Sequence, residues 1–183
     1  MSGLVLQSKL KLFTNMEHKR YPNSTVDLFN CIQEATEYIR ENLGQPEMAI
    51  VLGSGLGNFH NKLEDKISIP YTDIPHMPCP KAKVIGHGGD LYLGTINGIK
   101  LLCWGGRLHA YEGFESYEVS FIADVSAHIG CHTFLVTNAA GGAIPEMSDE
   151  GCVLMITNHI NSTGRNPLDS YYHTFFSEPD FTP

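Results

Sequence analysis

No run of apolar residues in this 183-residue chain is long enough to cross a bilayer, and the N-terminus has no signal-peptide hydrophobic core. A membrane partner and a secretory route are therefore not expected, a cytoplasmic location is, and the sequons at Asn23 and Asn161 carry no weight. Basic charge is scarce. Twelve Lys and Arg stand against twenty Asp and Glu, for a formal net charge of −8, which argues against the basic face of a general nucleic-acid binder. A few cations gathered in one pocket can still hold an anionic small molecule. Paired cysteines are missing: Cys31, Cys79, Cys103, Cys131 and Cys152 are odd in number, widely spaced and free of any Cys-x-x-Cys pattern. They read as reduced thiols of an intracellular protein. Repeats and low-complexity tracts are absent as well.

What remains fits one domain. A chain of this length buries roughly two-thirds of its unfolded surface, and 42% hydrophobic residues supply a core. Residues 1–24 read as an N-terminal extension. Ser24 or Thr25 then caps a helix in which Val26, Phe29, Ile32, Ala35, Ile39 and Leu43 recur at helical spacing, ended by Gly44 and Pro46. The run Met48-Ala49-Ile50-Val51-Leu52 suits a strand buried on both faces. Apolar strands beginning at Leu91 and Ile99 flank Asn97-Gly98, the preferred type I′ hairpin turn. A helix is expected from Tyr117 to Ile129, stopping at Gly130, then strands at Thr133-Phe134-Leu135-Val136 and Val153-Leu154-Met155-Ile156. Together these predict an α/β fold, a mixed twisted sheet flanked by helices.

Four segments carry the chemistry. Gly53-Ser54-Gly55-Leu56-Gly57 follows the first buried strand, where backbone N–H groups and the Ser54 hydroxyl can cradle an anion. It lacks the Lys of a Walker loop and the spacing of a dinucleotide loop, which disfavours a nucleotide-sensing module. Gly86-His87-Gly88-Gly89 presents one imidazole on a loop able to approach a ligand. In Gly106-Arg107-Leu108-His109-Ala110-Tyr111-Glu112-Gly113, an extended backbone places Arg107, His109 and Tyr111 on one face. Such a trio can hold phosphate beside a sugar hydroxyl, with Glu112 near enough in sequence to orient a histidine. Asn138-Ala139-Ala140-Gly141-Gly142 leaves space and free N–H donors after a strand. Among nine histidines, His128 and His132 are four apart, but Gly130 interrupts any helix between them and no acidic partner sits at ligand spacing, so no metal is expected.

These segments, in this order, resemble the trimeric purine nucleoside phosphorylase family along residues 25–168. Methylthioadenosine phosphorylase fits less well, having typically threonine where this chain has Ser54 and lacking the Tyr-Glu-Gly ending. The resemblance implies that Ser54, His87, Arg107, His109 and the backbone N–H of Ala139 bind phosphate, and that Tyr111 lies against ribose. It implies phosphorolysis of purine (deoxy)ribonucleosides such as inosine and guanosine to free base and (deoxy)ribose 1-phosphate, in purine salvage. Inorganic phosphate is then a co-substrate, no cofactor is needed, and the assembly is a homotrimer. Gly105 stands where relatives often carry glutamine, and Cys152 where aspartate is usual. Residues 169–183 lack the family's next landmarks, so the fold is expected to be incomplete at its C-terminus, without the family's purine-recognising glutamate and asparagine. The chain alone is then expected to bind phosphate or sulfate weakly without cleaving inosine. The competing reading is a non-catalytic truncated isoform that binds phosphate or associates with family subunits.

Overall fold

The computed structural model describes residues 25–79, 89–145 and 151–167. Helix α1 spans Thr25–Leu43. Its buried stripe is Leu28, Ile32, Ala35, Ile39 and Leu43, so Leu28 takes the inward place expected of Phe29, whose ring instead meets His128 edge-on at 5.4 Å. Ser24 lies outside the described residues. Strand β1 is Met48–Val51, β2 Glu64–Pro70, β3 Asp90–Ile96 and β4 Ile99–Trp104. Helix α2 covers Ser116–Ile129 and β5 covers Thr133–Val136.

The five strands form one mixed sheet in the order β2-β3-β4-β1-β5. Strand β1 runs parallel to both β4 and β5, whereas β2–β3 and β3–β4 are antiparallel. The β3–β4 hairpin closes at Ile96 and Ile99, with Asn97 at φ +51° and Gly98 at φ +80°. Both central residues therefore occupy the left-handed region that a type I′ turn demands.

Alternation along the strands divides the core. Ala49, Val51, Leu91, Leu93, Leu102 and Trp104 face α1 and α2, where they meet the α1 stripe and Phe121, Ile122, Val125 and Ile129 of α2. Each such aliphatic side chain, fully buried, contributes about 1.5–3 kcal/mol. At the centre of this layer the Trp104 indole N–H donates to the Ser126 hydroxyl at 2.9 Å, both residues fully buried. The opposite face carries a smaller cluster, Ile50, Leu52, Leu63, Leu101 and Cys103, with Phe59 and Tyr92 against it.

One strand was not foreseen and one expected strand is absent among the described residues. Strand β2 has no clean apolar alternation. Its register shifts between Glu64 and Ile67 and Asp65 sits at φ +50°, the mark of a bulge that breaks the period of two. Conversely, Val153-Leu154-Met155-Ile156 forms no strand. Its side chains stand out from the protein, Val153 at 93% and Met155 at 86% exposure, and a strand exists only where a neighbour satisfies its backbone groups.

Candidate functional site

Register brings the motifs to one place. Val51 of β1 pairs with Trp104 of β4 on one side and with Val136 of β5 on the other. Three parallel strands thus end level, and residues following 51, 104 and 136 leave the same edge together. The chain fills the sheet on the β4 side of β1 and then crosses to the β5 side. This is the topological switch at which a ligand crevice opens beyond the strands' carboxyl ends. The Leu52 N–H donates to the Trp104 carbonyl at 3.0 Å and the Thr137 N–H to the Val51 carbonyl at 3.3 Å, so pairing continues one residue past each strand.

From there the glycine loop turns. Leu56 N–H donates to the Gly53 carbonyl at 3.0 Å, closing a four-residue turn whose third residue, Gly55, has φ +86°, a conformation that favours glycine. Ser54 lies exposed on that turn. Gly53 itself is held from across the sheet: its N–H donates to the Thr137 hydroxyl at 2.8 Å, and that hydroxyl donates to the Val51 carbonyl at 2.7 Å. A β-carbon on Gly53 would lie 2.2 Å from the Thr137 carbonyl oxygen.

Arg107 reaches the same residue. Its Nη1 donates to the Thr137 carbonyl at 2.6 Å, and it makes no ion pair among the described residues. One prong of the guanidinium is thereby anchored while the rest of the planar fork remains for an anion. The backbone beneath is fixed twice. Leu108 is buried, and the Tyr71 phenol donates to the Gly106 carbonyl at 3.0 Å. Burial pushes the Tyr71 hydroxyl far above the usual phenol range, against a smaller opposing effect of that hydrogen bond, and keeps it a donor.

His109 and Tyr111 do not follow the alternation of a strand. A short 3-10 helix, Ala110–Glu112, begins directly after His109, and the two rings stack at 4.7 Å with 13° between their planes. Tyr111 is 84% exposed, so nothing among the described residues covers its outer face. Glu112 does orient His109, but through the backbone: its Oε2 accepts the His109 N–H at 2.8 Å. The side-chain pairing open to it in sequence is replaced because one 3-10 turn brings residue 112 back onto the N–H at its start.

Asn138 and Ala139 are exposed beyond β5, with the Asn138 amide donating to the Ala139 carbonyl at 3.3 Å. His87 lies outside the described residues. The structure thus gathers Gly53-Ser54, Arg107 and the start of the Asn138 segment around Thr137, and sets the His109–Tyr111 stack two residues beyond Arg107. Sequence reasoning missed Thr137. Its β-branched side chain reads as one more strand residue; the only signal is a hydroxyl between an apolar strand and a run of small residues. No group of three or more His, Cys, Asp or Glu side chains that could hold a metal ion occurs among the described residues.

Comparison with known proteins agrees in family. Residues 47–183 match the phosphorylase superfamily. Purine nucleoside phosphorylase 1 of Bacillus subtilis is 40% identical over 138 residues, 75% of this chain and 50% of the relative. The purine nucleoside phosphorylase of Bos taurus is 37% identical over 140 residues, 74% of this chain and 47% of its own length. Among solved structures, isoform 2 of the Schistosoma mansoni purine nucleoside phosphorylase, in complex with cytosine and ribose-1-phosphate, superposes with a TM-score of 0.57 at 37% identity. That match covers 62% of this chain and 40% of the other. The chain spans about half the length of the curated relatives it matches. With the family match running over most of the chain and the mixed sheet in agreement with the solved relatives, the chain belongs to the phosphorylase superfamily.

Proposed function

We propose that this chain carries the phosphate- and ribose-binding part of a purine nucleoside phosphorylase, which cleaves inosine, guanosine and their deoxy forms with phosphate to free base and (deoxy)ribose 1-phosphate. One observation carries the reading: three chemistry-bearing segments, far apart in sequence, meet at Thr137 beyond the level ends of β1, β4 and β5. Phosphate is held in this reading by Ser54, His87, Arg107, His109 and the Ala139 N–H, and ribose by Tyr111.

The chemistry asks little more of these residues than position. Breaking an N-glycosidic bond passes through an oxocarbenium-like state. Phosphate serves as nucleophile and as counter-charge, so no carboxylate pair is required. Holding it under C1′ replaces a bimolecular encounter by a high effective molarity, and an aromatic face at Tyr111 excludes water from one side of the sugar. Charge developing on the departing purine needs its own hydrogen-bond donors. In this reading the assembly is a homotrimer acting in cytoplasmic purine salvage, with phosphate as co-substrate and no further cofactor.

The test is calorimetric titration of the chain with phosphate and sulfate, beside an assay of hypoxanthine release from inosine with and without phosphate. Anion binding that Arg107→Ala weakens is the expected result. A chain that shows no anion binding and no phosphate-dependent hypoxanthine release would overturn the reading.

A further inference from the structure

We propose that Thr137 is a positioning residue of the anion site, setting both the glycine loop and the arginine that grip the phosphate. The inference rests on the phosphate-binding reading above and adds to it a residue that would touch no substrate atom.

Besides its N–H, which continues the pairing with Val51, the hydroxyl and the carbonyl of Thr137 are each engaged with a different part of the site. The hydroxyl donates to the Val51 carbonyl at 2.7 Å and accepts the Gly53 N–H at 2.8 Å. Its proton and a lone pair are both used, so its orientation is fixed. The carbonyl accepts Arg107 Nη1 at 2.6 Å. One residue therefore ties the end of β1, the first residue of the loop and the guanidinium into a single unit.

Two consequences follow from hydrogen-bond capacity. The Gly53 N–H has a partner already, so the anion-facing donors of this loop begin at Ser54 and not at Gly53. Arg107, held by one prong, loses less side-chain freedom on meeting an anion than a guanidinium in solvent would. Threonine suits this place better than serine, because a β-branched side chain has few χ1 states to leave. Position 53 in turn admits only glycine, since a β-carbon there would lie 2.2 Å from the Thr137 carbonyl oxygen.

The experiment uses the full chain and three measurements. In the unaltered protein, an NMR titration with inorganic phosphate is expected to move the amide signals of Ser54, Gly55 and Gly57 and to leave that of Gly53 nearly still and slow to exchange. Thr137→Val, which keeps the shape and removes the hydroxyl, is expected to weaken phosphate roughly tenfold, the equivalent of about one hydrogen bond. Thr137→Ser is expected to restore most of that affinity even where its melting temperature stays as low as that of the valine variant, a split that a purely structural role would not give. Unchanged affinity in Thr137→Val, or a Gly53 amide that shifts more than its neighbours, would overturn the inference and leave the phosphate site standing. Absence of phosphate binding by the unaltered chain would overturn the site and the inference together. Should Thr137→Val fail to fold, the titration of the unaltered protein decides alone.

Discussion

The Tyr71 ring occupies the space that a side chain on Gly89 would need: a β-carbon built there would sit 2.1 Å from the ring's Cε2. The contact is mutual, because the Tyr71 N–H donates to the Gly89 carbonyl at 2.9 Å. Tyr71 also holds Gly106 through its phenol, so Gly89 and Arg107 are two sides of one packing unit. Replacing Gly89 by alanine is expected to cost about 1–3 kcal/mol, the range for forcing atoms into a filled core. Gly57→Ala, which meets nothing within 4 Å, is the matched control. Urea unfolding of the two variants provides the measurement, and equal midpoints would refute the prediction.

Arg107 offers a direct test of anion binding. Charge-assisted hydrogen bonds contribute about 1.5–3 kcal/mol, so Arg107→Ala is expected to weaken phosphate by roughly ten- to a hundredfold. Lysine keeps the charge and loses the planar fork, and Arg107→Lys is expected to recover only part of the affinity. Calorimetry at fixed salt decides between these outcomes.

A third expectation concerns the buried pair Trp104 and Ser126. Ser126→Ala leaves the indole N–H without its partner in a dry layer, at a cost of about 1–3 kcal/mol. Trp104 is the single tryptophan of the chain, so its fluorescence reports the change at one site. An unaltered emission maximum together with an unaltered unfolding midpoint would count against the hydrogen bond.

The thiols give a pH dependence. Burial pushes Cys103 up from 9.0 to about 12 and Cys131 from 9.0 to about 11. Above pH 9 the unfolded chain releases these protons while the folded chain keeps them, so stability is full below about pH 9. It falls as pH rises toward about 11–12. Denaturation midpoints measured across that window should drop, and Cys103→Val should flatten part of the slope. Native-state labelling at pH 8 is expected to reach exposed Cys152 well before Cys103.

Much of the architecture was legible because its signals are local. The Asn97-Gly98 turn, the β1 run and the stops at Gly44 and Gly130 follow from backbone preference and period alone. The structure begins the second helix at Ser116, one residue before the expectation. Strand β2 was hidden because its bulge destroys alternation, and Val153-Leu154-Met155-Ile156 misled because apolar, β-branched composition says nothing about whether a neighbouring strand is present. At the site, the Ser54 loop, Arg107 and the Asn138–Gly142 segment could be singled out by glycine context and charge, and the role of Ala139 follows only from the family resemblance. The turn at Ala110 could not, since alternation from Arg107 to Tyr111 presumes a backbone that only tertiary packing decides. Thr137 was invisible for a related reason: its importance lies in partners across the sheet.

The placement of β1 between β4 and β5 also fixes an order of assembly. The β3–β4 hairpin needs only two intervening residues to close and can form within microseconds. The bond from Gly53 to Thr137 joins groups 84 residues apart, so its loop-closure entropy falls due late. The anion crevice is accordingly expected to be the last region to acquire hydrogen-exchange protection during refolding. A mutation that slows the docking of β5 would then delay phosphate binding without altering the final affinity.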